Sequence, residues 1–98
     1  MPYRIEYTRP AINHLRQLTA RLRAMVLDTV DHQLTYEPTR ETRNRREMIP
    51  NDLASWELRI GDLRVYYDVL EESQTVMVAA VGIKRGNRVF IGGLERDL

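Results

Sequence analysis

The stretch Trp56–Leu70, WELRIGDLRVYYDVL, leaves the chain few ways to fold. Trp56, Leu58 and Ile60 alternate with Glu57 and Arg59. Leu63, Val65, Tyr67 and Val69 alternate with Arg64, Tyr66 and Asp68. Alternation with period two means strands with one face on a core and the other turned to solvent or a ligand. Gly61-Asp62 between the runs predicts a two-residue hairpin turn, because glycine supplies the positive φ that primed turns need. That turn pairs Ile60 with Leu63, Leu58 with Val65 and Arg59 with Arg64. The apolar faces then coincide, and the register agrees with the pattern. It also sets two arginines side by side on the open face, where like charges cost stability. An anionic ligand is one candidate to compensate.

Either side of the hairpin the chain is easily partitioned. Tyr3–Tyr7 is expected as a short strand. Thr8 caps a helix over Arg9–Leu18, with Pro10 in its first turn and Ile12, Leu15 and Leu18 inward. Thr19 is the next N-cap. Leu22, Met25, Val26, Thr29, Val30, Gln33 and Leu34 then form one helical stripe, running to about Tyr36 and stopping ahead of Pro38. The two helices are expected to form an antiparallel hairpin on one sheet face. Pro38–Ala54 is polar, Arg-rich and aperiodic, and is expected as a long loop pinned by Met48, Ile49 and Leu53. Gln74–Ile83 is apolar on both faces, as a central strand should be. Lys84–Arg88 is a basic turn, Val89–Ile91 a last extended piece, Gly92-Gly93 a terminator and Leu94–Leu98 a tail. The whole, residues 1–98, is expected as one α+β domain with a mainly antiparallel twisted sheet.

Composition bounds the partners. Fifteen basic residues, fourteen of them Arg and the other Lys84, face fourteen acidic ones for a net charge of +1. The total does not announce a nucleic-acid binder, but arginine favours planar contacts to phosphate or carboxylate. There is no Cys, which excludes thiolate metal sites and fits a reducing compartment. No apolar run approaches the ~20 residues of a membrane span. The start, MPYRIEYT, lacks a secretory apolar region, so a cytoplasmic protein without a targeting segment is expected.

Three basic groups are candidates for function. The open sheet face holds Glu57, Arg59, Arg64, Tyr66 and Asp68. Lys84 joins it if the Glu71–Ser73 turn has three residues, which pairs Leu70 with Gln74 and sets Arg64 opposite Ala80. A two- or four-residue turn sends Lys84 to the helix face unless a bulge near Gly82 intervenes. The loop Arg40, Arg43, Arg45 and Arg46 is suited to tracking a phosphate backbone. The turn of Lys84, Arg85 and Arg88 projects further charge. The plainer reading of each is a solvated surface, with Arg59 paired to Glu57 or Asp68. His14 and His32 have no partner at ligand spacing and read as structural. No phosphate loop, catalytic Ser-His-Asp grouping or metal motif is present.

The order of these segments, with W-x-L-R-I-G-D-L-R-V-Y-Y-D-V followed by V-G-x-K-R-x-x-R-V-F, resembles the RelE/ParE superfamily of toxins from type II toxin–antitoxin modules. The RelE-like branch is the better match. The resemblance covers nearly the whole chain. It implies a metal- and cofactor-independent endoribonuclease that enters the ribosome and cleaves mRNA, held in check by an antitoxin protein. It assigns catalysis to Arg59, Arg64 and Lys84. RNA contact is then expected of Arg40, Arg43, Arg45 and Arg46 in the basic loop, Arg85 and Arg88 in the basic turn, and Tyr66, Glu57 and Phe90. Glu57 stands where the best-known branch carries a lysine, and Phe90 where it carries a tyrosine that stacks and assists proton transfer. The alternative that the resemblance allows is a ParE-like toxin that inhibits DNA gyrase without nuclease activity.

Overall fold

In a computed structural model describing residues 1–98, a strand β1 (Arg4–Tyr7) leads into helices α1 (Arg9–Arg16) and α2 (Ala20–Leu34). Strands β2 (Arg45–Glu47), β3 (Trp56–Ile60), β4 (Leu63–Leu70), β5 (Thr75–Arg85), β6 (Arg88–Ile91) and β7 (Leu94–Arg96) follow. The sheet runs β2-β3-β4-β5-β6-β7 with antiparallel neighbours, and β1 joins β5 in parallel. This is an α+β fold with two helices on a seven-stranded, mostly antiparallel open sheet.

Local chemistry places the helices as expected. Thr8 and Thr19 cap them, accepting from the backbone N–H of Ala11 and Leu22. Arg23 of α2 donates to the carbonyls of Leu15 and Leu18, so one side chain satisfies the end of α1 and fixes the turn between the helices. The buried stripe is Ala11 and Leu15, then Val26, Val30 and Leu34. Ile12 and Met25, expected inward, lie on the margins at 40% and 37% exposure. These helices cover Leu58, Val65, Tyr67, Val76, Val78 and Val81, and together they make the main core.

The β3–β4 hairpin has the expected register, Ile60 with Leu63, Leu58 with Val65 and Arg59 with Arg64, and Gly61 takes φ +58°. Three departures follow. The Pro38–Ala54 segment is not all loop, because Arg45–Glu47 pairs with β3 as an edge strand. Gly92-Gly93 does not end the structure. Both glycines have positive φ and turn β6 back into β7, pairing Ile91 with Leu94. The β4–β5 turn pairs Leu70 with Thr75, so it holds four residues rather than three. A bulge at Ala79, where Tyr66 pairs with Ala80 but Tyr67 with Val78, restores the parity. Arg64 consequently faces Gly82, not Ala80, and Lys84 comes round to the arginine face by a different route from the one expected.

On its second edge β5 pairs first with β1, up to Val78, and then with β6, from Gly82. Helix α1 fills the gap. The Thr8 hydroxyl donates to the Ala79 carbonyl at 3.0 Å, and the Val81 N–H donates to His14 Nδ1 at 3.2 Å. Burial lowers the His14 pKa, in keeping with a neutral imidazole that accepts this bond.

Candidate functional site

The face of the sheet away from the helices is not an open solvated surface. Ala54, Tyr66, Ala80 and Ile91 form a small second core, flanked by Met48, Leu53, Ala79 and Val89. Asn51 organises the covering segment. Its Oδ1 accepts from the N–H of Leu53 and Ala54, and its Nδ2 donates to the carbonyls of Ile49 and Ala54. Asp68 anchors the same segment by accepting from the Ser55 N–H at 2.8 Å, so it belongs to the fold.

Beside this small core lies a cleft of about 200 Å³ whose lining includes Arg46, Glu57, Arg59, Arg64, Tyr66, Lys84 and Arg96. Five basic side chains there meet Glu57 and Asp97 as the acidic ones. Arg64 is buried at 7% exposure, and its Nη1 donates to the carbonyls of Gly61 at 2.6 Å and Leu63 at 2.9 Å. The hairpin turn thus grips the guanidinium with neutral carbonyls, and no carboxylate pairs with it. Lys84, half-buried on β5, also has no carboxylate partner, and its backbone N–H is tied to the Asp62 carbonyl at 2.7 Å. Gly82 between them has no room for a side chain, since a Cβ there would meet the Phe90 carbonyl oxygen at 2.8 Å. Gly82 is itself buried, so the backbone of β6 and the Ile91 side chain pack directly against it beside Arg64.

Arg59 and Arg46 are in a different state. Glu57 Oε1 lies 3.1 Å from Arg59 Nε and 3.3 Å from Arg46 Nε. The cross-strand arginine pair that looked awkward in sequence is therefore resolved from both sides, by turn carbonyls at Arg64 and by Glu57 at Arg59. Tyr66 lies under this group with its hydroxyl buried and unpartnered, and burial and the Glu57 charge raise its pKa.

The remaining sequence candidates do not converge here. Arg45 pairs with Leu58, so its side chain goes to the helix side, where it is 8% exposed and donates to the Glu37 carbonyl at 2.8 Å. An arginine in that position holds the Glu37–Pro38 corner and is not free to track a phosphate. Arg40 is exposed and pairs with Glu37 at 3.2 Å, away from the cleft, and Arg43 is exposed in the turn before β2. Phe90 pairs with Ile83 and shares with Arg85 a groove lined by His14, Leu18 and Leu22 on the helix side. The two-residue turn Gly86-Asn87 sets that parity, so Phe90 cannot stack on anything bound at Arg64. Arg88 leans towards Glu95 at 3.9 Å. Arg96 is the cleft residue that the sequence reading missed. It lies on β7, opposite Val89, and donates to Asp52 at 3.0 Å. Gly92-Gly93 between two extended runs was the signal that could have found it. No cluster of His, Asp or Glu is arranged to hold a metal, and no helix is long and apolar enough to cross a membrane.

The model of the family described as "ParE toxin of type II toxin-antitoxin system, parDE" matches residues 5–88, and the chain belongs to that family, within the RelE/ParE superfamily. No curated protein matches it. Among solved structures it is similar to the RelBE2 toxin–antitoxin complex of Mycobacterium tuberculosis, at 25% identity, TM-score 0.75, and 86% of this chain against 93% of that one. It is also similar to the RelE–RelB complex of Pyrococcus horikoshii, at 25% identity, TM-score 0.68, and 88% against 98%. The E. coli RelBE complex, at 19% identity, TM-score 0.58, and 85% against 98%, shares the fold.

Proposed function

We propose that this toxin is a metal-independent endoribonuclease acting on ribosome-bound mRNA in the cytoplasm, neutralised by a cognate antitoxin that covers the cleft. The observation that carries this reading is the pairing of Arg64 and Lys84 on the two central strands, facing one cleft with no carboxylate on either. RNA brings its own nucleophile, the 2′-OH, so a protein need only align it, stabilise the charge on phosphorus and help protons move. Arg64 Nε and Nη2, free of bonds within the chain, clamp the non-bridging oxygens. Lys84 supplies a proton to the leaving 5′-oxygen. The 2′-OH loses its proton to solvent water as its oxygen bonds to phosphorus, the P–O5′ bond breaks, and a 2′,3′-cyclic phosphate and a 5′-OH remain. The similarity to RelBE2 and RelE–RelB complexes supports the antitoxin partner.

The test is to program ribosomes with a defined mRNA, add the purified toxin and map new 5′-OH ends. Arg64→Ala should lower cleavage by about 10²-fold or more, the usual cost of losing one group that stabilises developing charge. A second reading, a ParE-like gyrase inhibitor, is favoured by Glu57 engaging Arg46 and Arg59 and by Phe90 facing the helices, which withdraw groups that cleavage would use. Absence of 5′-OH ends together with inhibition of gyrase supercoiling would sink the nuclease reading.

A further inference from the structure

The nuclease reading leaves two side chains of the cleft without a task. Glu57 is an almost buried carboxylate whose Oε1 is shared by two arginines, while those arginine side chains are 42% and 61% exposed. Each guanidinium approaches through Nε, so the terminal nitrogens that best match a phosphate are not engaged by Glu57. Glu57 Oε2 has no hydrogen bond within the chain. Tyr66 is Glu57's direct cross-strand partner on the same face. It is fully buried, and its hydroxyl lies within reach of the Glu57 carboxylate without forming a well-aligned hydrogen bond to it. Buried hydroxyls are rarely left unpaired, because the hydrogen bond to water lost on folding is not replaced. Its raised pKa keeps it protonated, and therefore a donor.

We propose that Glu57 is a built-in counter-ion that an anionic strand displaces: Arg46 and Arg59 pass from Glu57 to a phosphodiester, and the released carboxylate turns to accept the Tyr66 hydroxyl hydrogen. The exchange explains both oddities together. Without ligand, the carboxylate neutralises the outer half of the cleft, and the hydroxyl waits. With ligand, a buried carboxylate that has lost two cations needs a new donor, and Tyr66 is the donor across the ladder. The ligand class is a single-stranded phosphodiester long enough to reach from Lys84 and Arg64 on the central strands to Arg59 and Arg46 on β3 and β2. The device also suits a chain of net charge +1, because it withholds cations from casual polyanions.

This inference rests on the cleft being the RNA site, and the test separates the two. The probe is a fluorescent single-stranded oligoribonucleotide with 2′-O-methyl groups throughout, which cannot be cleaved, read by anisotropy over a salt series. Glu57→Gln should bind about tenfold tighter at low salt, with the slope of log affinity against log salt steeper by no more than about 0.7, because Arg46 and Arg59 reach phosphate in both proteins and only one negative charge is removed; a slope steeper by about 1.4 would mean that the wild type never releases them and would overturn the exchange. Glu57→Asp keeps the charge and should keep the wild-type slope. Tyr66→Phe should weaken the wild type by roughly three- to tenfold, and the Glu57→Gln variant by less than about twofold, the coupling expected of groups that act together. Equal or weaker binding by Glu57→Gln, or equal Tyr66→Phe effects in both backgrounds, would overturn the exchange while leaving the RNA site in place. If Arg64→Ala binds the probe as wild type does, the cleft is not the RNA surface and both readings fall.

Discussion

Tyr66 and Tyr67 are adjacent in β4, both at 0% exposure, and they sit in opposite kinds of environment. Tyr67 faces the helices. Its ring stacks on Trp56 with centroids 6.2 Å apart, and its hydroxyl donates to the Pro38 carbonyl at 2.8 Å. Every polar atom of that side chain has a fixed partner. Tyr66 faces the cleft, among alanines and an isoleucine, with its hydroxyl unpaired beside a carboxylate and two arginines. The same residue type at the same depth is settled on one face and unsettled on the other. Tyr67 is held at its hydroxyl by the Pro38 carbonyl, while Tyr66 leaves its hydroxyl available to the cleft. Unpaired buried polar atoms are tolerated when something else gains from them.

That contrast can be broken or sharpened by substitution. The largest effect should come from Leu58→Ala, which empties a fully buried site under both helices and should cost about 3 kcal/mol in denaturant unfolding. Tyr67→Phe should cost about 1–2 kcal/mol, since it keeps the stacked ring and leaves the buried Pro38 carbonyl unpaired. His14 gives a pH-dependent probe of the helix side. Burial sets its folded pKa below the ordinary value of about 6.5, so the unfolded chain takes up the proton first as pH falls. Its contribution to stability should be full above about pH 6.5 and be lost as pH drops from there towards the folded value. Urea midpoints should show that slope in the wild type and lack it in His14→Gln. Smallest of all, Tyr66→Phe should leave stability within about 0.5 kcal/mol of wild type, because no hydrogen bond is lost. A cost equal to that of Tyr67→Phe would show that the two faces do not differ as described.

The parts of this arrangement legible in sequence were those governed by a local rule. Period-two alternation and a Gly-Asp turn specify the register of β3 and β4, and Thr8 and Thr19 announce their helices. What was not legible depends on parity set elsewhere. Arg45 looks like its neighbour Arg46, but pairing with Leu58 sends it inside while Arg46 stays out. Phe90 looked like a cleft residue until the Gly86-Asn87 turn fixed its face. The three-residue strands β2 and β7 are too short to show a period at all, and tertiary pairing alone makes them. The structure brings Arg59, Arg64 and Lys84 to one cleft, while the Glu57 tie on Arg59 and the backbone grip on Arg64 follow from no local pattern in the sequence.

The bulge at Ala79 makes β5 two strands in one as far as inheritance is concerned. Before it the even-numbered Val76 and Val78 face the hydrophobic core; after it the odd-numbered Val81 and Ile83 do, and the even-numbered Lys84 faces the cleft. A relative that dropped one residue there would keep the helices and the outline of the sheet, yet its Lys84 equivalent would lie beneath the helices and its Val81 equivalent would leave the core. Two chains of this shape can therefore superpose well and still differ in what their sheet offers to a ligand. For toxins that share a frame while striking different targets, one residue gained or lost in mid-strand is a short route from one to the other.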